Sequence, residues 1–159
     1  MLLSMVIRHA LAADDADLMR IDRRSWRWFV GPRAPGTDRF FASSRPDDVL
    51  VAEVDHVPVG YVKLGRRTDL PSNRHVLQIH GLAVDPYFRR AGIGQALIGH
   101  AIEEARRRGA SKVWLFVLEP NAAARALYLR CGFELVGVLR DEFRLEEHSV
   151  DDMLMERHL

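Results

Sequence analysis

A chain of 159 residues that is 48% apolar and 28% charged suits one compact domain over residues 1–159, burying about 70% of its unfolded surface. Its 23 basic and 22 acidic side chains leave a formal charge of +1, which does not favour a nucleic-acid partner. The single cysteine excludes an internal disulfide, and the scattered histidines lack close metal-ligand spacing, so no metal is expected.

Leu2 to Ile7 is apolar but too short for a secretory segment and has no basic flank, so it reads as part of a strand over Met5 to His9. No run is long enough to cross a membrane, and a cytoplasmic protein is the expectation. Asp14 is placed to cap a helix running to about Arg27, with Leu18, Ile21 and Trp26 among its apolar positions. Gly31, Pro32, Pro35 and Gly36 break the next stretch, apart from a short helix around Arg39 to Ser43.

Val49 to Val54 and Val57 to Leu64 read as a hairpin closed at Asp55-His56. A third strand spans His75 to Val84. From Gly94 to Arg108 the pattern is helical, with Leu97, Ile98, Ala101, Ile102 and Ala105 on one face and Glu103/Arg107 and Glu104/Arg108 spaced for surface pairs. Lys112 to Leu118 is a strand, and Asn121 to Cys131 a helix whose face carries Ala124, Leu127, Tyr128 and Cys131. Two antiparallel strands, Phe133 to Phe143 and Val150 to Arg157, close the chain around a polar connection. Cys131, on an apolar helix face, reads as packing rather than as a nucleophile.

Arg89-Arg90-Ala91-Gly92-Ile93-Gly94 lies between the strand ending at Val84 and the helix that follows. Glycine lets a ligand approach the main chain, and a helix start presents unpaired N–H groups and a positive dipole end, so the turn suits a pyrophosphate. A dinucleotide fingerprint is excluded by Leu97 at the third glycine position, and a P-loop by the missing Gly-Lys-Ser/Thr. What stands is Arg-x-x-Gly-x-Gly, preceded by Leu82-Ala83-Val84-Asp85-Pro86 and followed by Asn121 and Tyr128.

On these residues, most specifically over His80 to Phe133, the chain resembles the Gcn5-related N-acetyltransferase (GNAT) superfamily. The resemblance implies an α/β fold with a mixed, mostly antiparallel central sheet flanked by helices and splayed to form a cofactor slot. It implies acetyl-coenzyme A as donor and a primary amine of unknown identity as acceptor, without naming the amine. A small-molecule amine is the leading reading. A protein N-terminal or lysine acetyltransferase and a non-catalytic acyl-coenzyme A sensor are the alternatives, and a homodimer is compatible with each.

Carried over residue by residue, the resemblance places the backbone of Leu82, Ala83 and Val84 along the pantetheine arm. Arg89, Arg90, Ala91, Gly92, Ile93, Gly94 and Gln95 surround the pyrophosphate. Gly81 is the expected site of a bulge that opens the sheet. Asn121 reads both as a helix cap and as a partner of the pantetheine arm. Tyr128 reads as the acid for the leaving thiolate or as a buried structural tyrosine, and the Leu82 N–H as the oxyanion donor. Phe116 stands where some ribosomal-protein acetyltransferases of the superfamily carry a glutamate base. His80, beside the expected bulge, is then the candidate proton acceptor, with a structural histidine as the alternative. Trp26, Trp28 and Phe29, with Arg33 beside them and facing Glu146 and Glu147 within an acidic set that includes Asp141, Glu142, Asp151 and Asp152, are the candidate acceptor-binding residues.

Overall fold

A computed structural model describes residues 4–159; Leu2 and Leu3 of the apolar Leu2–Ile7 stretch lie outside the described residues. In chain order the elements are β1 (Met5–His9), α1 (Asp15–Ser25), β2 (Val49–Val54), β3 (Val57–Arg66), β4 (Val76–Val84), α2 (Ile93–Arg107), β5 (Lys112–Leu118), α3 (Ala122–Arg130), β6 (Glu134–Leu145) and β7 (His148–His158). They form a seven-stranded sheet in the order β1-β2-β3-β4-β5-β7-β6. Every neighbouring pair is antiparallel except β4 and β5. Those two are joined through α2, because a parallel pair needs a crossover.

Helices cover both faces. The apolar stripe of α2, with Leu97, Ile98, Ala101 and Ile102 fully or almost fully buried, packs on Leu50, Val62, Leu77, Val113 and Leu115. On the opposite face Leu18 and Ile21 of α1 join Phe40, Val49, Val51 and Tyr61. The β2–β3 turn is tight because Asp55 and His56 both take positive φ, 47° and 68°, the conformation that matches strand twist in a two-residue hairpin.

Several local readings change. Asp14 sits at the N-cap position of α1, but its side chain makes no cap bond; the carboxylate instead accepts from the Leu11 N–H at 2.8 Å and pairs with Arg8 at 2.8 Å. A guanidinium six residues away competes for the same oxygens. Trp26 ends outside α1, in extended backbone. Glu104 pairs with Arg108 at 2.9 Å as spaced, yet Glu103 pairs with Arg106 and not Arg107, which turns to Glu104 at 2.6 Å. The polar connection expected between the last strands shrinks to Glu146-Glu147, at φ 46° and 67°. Its flanking polar residues join the ladder, since an exposed hairpin buries little and accepts them.

The feature that shapes the site is where β4 stops pairing. It bonds to β5 only from Val76 to Gln78, opposite Lys112 to Trp114. On its other side, Lys63 of β3 faces Gly81 and Leu64 faces Ile79, so His80 itself is the extra residue of a bulge expected at Gly81. A bulge bends its strand and increases local twist. Beyond it the C-terminal half of β4 parts from β5.

Candidate active site

The parted strands leave a cavity of about 290 Å³ bordered by Leu82 and Ala83 of β4, Phe116 and Val117 of β5, Asn121, Ala124 and Tyr128 around α3, and Asp22, Ser25 and Trp26 from the α1 side. A second cavity, about 570 Å³, lies between the glycine loop and α3; Val84, Arg89, Arg90, Gly92, Ile93, Gly94 and Gln95 face Ala124, Leu127 and Arg130. Ala124 borders both, so the two spaces follow one another along α3. Ala91 borders neither and is exposed.

The loop is held by charge from below. Asp85, only 1% exposed, receives Arg20 at 3.2 Å and Arg24 at 3.1 Å from α1 and caps the following turn by accepting the Tyr87 N–H at 3.0 Å. Breaking such a buried pair leaves a charge uncompensated, so this contact fixes where the loop begins. Arg89 turns its guanidinium inward, donating to the carbonyls of Val84 and Ser25 at 3.4 Å each. It braces the loop although it is exposed like Arg90, which makes no such bond among the described residues.

Gly92 is the N-cap of α2 at φ +78°, a left-handed conformation that a side chain resists. A Cβ at Gly94 stands 3.1 Å from the Leu127 side chain, so any side chain there crowds the passage between α2 and α3. The amides at the start of α2 have no carbonyl one turn earlier to bond and open toward this passage. An elongated anionic group with a pyrophosphate at the loop and a slender arm along α3 fits this arrangement.

At the far end Tyr128 is 6% exposed and rests edge-on against Phe133. Burial, with a smaller effect of Cys131, raises its phenol well above the ordinary value, so it holds its proton throughout the neutral range. Asn121 accepts the Ala124 N–H through Oδ1 at 3.3 Å while bordering the cavity; its two sequence readings are geometrically compatible. Cys131 is partly buried at the end of α3, and burial raises its thiol.

His80 borders this cavity, and its Nε2 lies 3.3 Å from the Arg66 carbonyl. A carbonyl only accepts, so Nε2 carries the proton and Nδ1 is the free acceptor. Partial burial lowers its pKa, opposed by the Arg66 bond and aided by Lys63, which favours neutral imidazole at pH 7.

The acceptor-side residues separate. Trp26 reaches the cavity, and its Nε1 is buried without a partner. Trp28 stacks on His148 at 4.6 Å, with Phe29 edge-on to Trp28; they line neither this cavity nor the cleft beside it. Glu146 and Glu147 line neither as well, because the tight turn carries them to the exposed tip of the hairpin.

Three residues of the cavity wall, Asp22, Val30 and Gly31, escaped the sequence reading, and one carboxylate of the acidic set takes a place that composition does not distinguish. Asp22 is hydrogen-bonded to the Tyr61 hydroxyl and borders the cavity; nothing in a mid-helix aspartate signals that. Val30 and Gly31 border it too, from a segment with no periodicity. Asp152, one carboxylate in an acidic run, turns into an adjoining cleft of about 240 Å³ with Gln78, Phe116, Leu118 and Phe143. Only the strand register distinguishes it from its neighbours.

Residues 16–133 match the acetyltransferase (GNAT) family, and the chain belongs to that family, whose acetyl donor is acetyl-coenzyme A. It is 42% identical over 127 residues to an uncharacterised N-acetyltransferase of Methanocaldococcus jannaschii, covering 77% of this chain and 52% of that one. It is 38% identical over 77 residues to the [ribosomal protein bS18]-alanine N-acetyltransferase of Escherichia coli, covering 48% and 52%. The chain thus spans about half the length of these curated relatives. Among solved structures, an N-acetyltransferase from Staphylococcus aureus superposes with a TM-score of 0.84 at 18% identity over 98% of both chains. An acetyltransferase from Salmonella typhimurium, solved with acetyl-coenzyme A, gives 0.79 at 23%, covering 98% of this chain and 94% of that one. These two likenesses establish the fold.

Proposed function

We propose that this chain transfers an acetyl group from acetyl-coenzyme A directly to a primary amine within a ternary complex. The observation that carries the reading is the succession of two cavities sharing Ala124, one at the Gly92–Gln95 loop and one at Tyr128 and the parted strands. Bound there, acetyl-coenzyme A supplies an activated acetyl thioester. The glycine-loop amides hold its pyrophosphate, and the backbone of Leu82 to Val84 holds its pantetheine arm with Asn121. The Leu82 N–H, on a strand edge that β5 has left, polarises the acetyl carbonyl. Tyr128 gives a proton to the departing sulfur, and His80, through Nδ1, takes one from the attacking nitrogen.

For the acceptor, a small amine is favoured by the modest volume and aromatic walls of the space at Trp26 and Phe116. A protein N-terminal amine is the second reading, favoured by the relatives that act on ribosomal protein bS18. Thiol release from acetyl-coenzyme A, measured across small amines, lysine peptides and peptides with free N-termini, tests both. Acceptor-dependent release is expected, and the class giving the higher kcat/KM decides between the readings. Calorimetric binding of acetyl-coenzyme A with no release across the panel would make the chain a sensor and overturn the proposal.

A further inference from the structure

Going from a free amine at neutral pH to an amide, nitrogen gains one bond to carbon and surrenders two protons. Sulfur loses its bond to carbon and takes up one proton, so one proton leaves in net. A primary alkylamine titrates like lysine, near 10.4, so about one molecule in a few thousand is unprotonated at pH 7. His80 removes the proton of the attacking nitrogen in the scheme above. A second group must relieve the incoming ammonium of its first.

Asp152 has the placement for that task. It lies opposite Leu118 across the β5–β7 ladder, on the sheet face that also carries Phe116 two residues along. It is 7% exposed, lines the cleft beside the acetyl-transfer cavity, and has no hydrogen-bond or ion-pair partner among the described residues. Val30, Ile79, His80 and Phe116 border both spaces, so they adjoin. A largely desolvated carboxylate facing a cleft gains from a cation that replaces the remaining water at its oxygens. Gln78 joins His80 as a polar side chain on the cleft, and the remaining walls, Pro32, Leu118 and Phe143, are apolar.

We infer that Asp152 is the acceptor-receiving group, binding a small apolar primary amine as its ammonium and taking the first proton from it. The inference rests on the acetyl-transfer reading. The N–H bond of the ammonium breaks, its proton passes to the Asp152 carboxylate, and the neutral amine moves on to the thioester, where the C–N bond forms and the C–S bond breaks. The second proton goes to His80 and replaces the one Tyr128 gave to sulfur, and the Asp152 proton goes to solvent. Titratable groups that bear on Asp152 are His80 from β4, across the cleft, and Glu142 from β6; β5 and the Val30–Pro32 segment bring none. Burial, and then Glu142, raise the carboxyl to about 6, so it is ionised at pH 7 and still a useful base.

The probe is 2-phenylethylamine, with 2-phenylethanol as its uncharged counterpart, binding followed by NMR titration of the protein with and without coenzyme A. The parent is expected to bind the ammonium at least about tenfold more tightly than the alcohol, a preference that Asp152→Asn abolishes and Asp152→Glu partly restores. In acetyl transfer, Asp152→Asn should lower kcat/KM about 100-fold at pH 7 but less than about threefold at pH 9.5, where roughly one amine in nine is already neutral. A purely structural role gives no such pH-dependent recovery. Equal preference for the ammonium in parent and Asp152→Asn, or a deficit that is the same at both pH values, overturns the inference. Ammonium binding lost in Asp152→Asn, with no transfer by the parent at any pH, supports the site while overturning the acetyl-transfer reading.

Discussion

Replacing Tyr128 by phenylalanine removes one oxygen from the end of the slot and little else. The ring is 6% exposed and held by Phe133, so the substitution is isosteric, and with no hydrogen bond of the hydroxyl among the described residues it changes stability by about 1 kcal/mol or less. That is a shift of roughly 2–4 °C in Tm for a domain of this size. The same oxygen is the only acid the scheme offers to the leaving sulfur, and positioned acids contribute about 100-fold or more, or ~2.7 kcal/mol of barrier. The phenol is held well above its ordinary pKa by burial, so the parent has no basic limb from this group below about pH 10. Steady-state thiol release should therefore show kcat down about 100-fold from pH 6.5 to 9, with the calorimetric Kd for acetyl-coenzyme A within about twofold. Single-turnover quench establishes that chemistry limits the rate in both proteins. Equal single-turnover rates would remove Tyr128 from the mechanism and leave it a packing residue.

Gly94→Glu places a carboxylate where pyrophosphate is expected and a Cβ against Leu127; the acetyl-coenzyme A Kd should rise at least about 100-fold in a protein whose circular dichroism is unchanged, and an unaltered Kd refutes the loop assignment. Gly60 sits under α2 with its missing Cβ 3.0 Å from the Ala83 carbonyl oxygen and 3.2 Å from Leu97. Gly60→Ala should cost about 1–3 kcal/mol, read as a lowered midpoint in urea with unchanged slope. His80→Ala should lower kcat/KM by about 100-fold at pH 7.5 and remove an ionisation from the acid limb. Because burial lowers the His80 pKa, that ionisation lies below 6.5, and activity falls as pH drops through it; an unchanged profile returns His80 to a structural role.

The long elements were legible because burial writes its period into them: α2 shows its stripe, and the β2–β3 hairpin shows apolar runs around a two-residue break. The glycine loop was legible for a different reason, since backbone amides at a helix start need a definite order of residue types. What sequence could not supply was side-chain direction on irregular backbone. His80 became the bulged residue itself because β3 and β4 exchange register there. Trp26 fits the helical period of α1 yet lies beyond its end, in the slot wall. Asp14, placed as a cap, is claimed by Arg8, and Arg89 borders the glycine-loop cavity while also reaching two backbone carbonyls.

The acidic end of the chain shows the same limit, and it yields a last expectation. Six carboxylates between Asp141 and Asp152 are equivalent by composition. Strand register makes them unequal: Asp152 pairs opposite Leu118 and turns into the cleft, Asp141 is spent on Ser149 and Arg144, and Glu146 and Glu147 project from the hairpin tip. Exposed charges are screened over about 8 Å at physiological salt, and such pairs contribute under about 1 kcal/mol. Glu146→Gln/Glu147→Gln should therefore shift the acceptor KM by less than about twofold at 150 mM salt, with a somewhat larger effect at 10 mM. A rise comparable to that of Asp152→Asn at both salt concentrations would mean that the hairpin folds over the acceptor, and that the acidic tip, not the buried carboxylate, receives the amine.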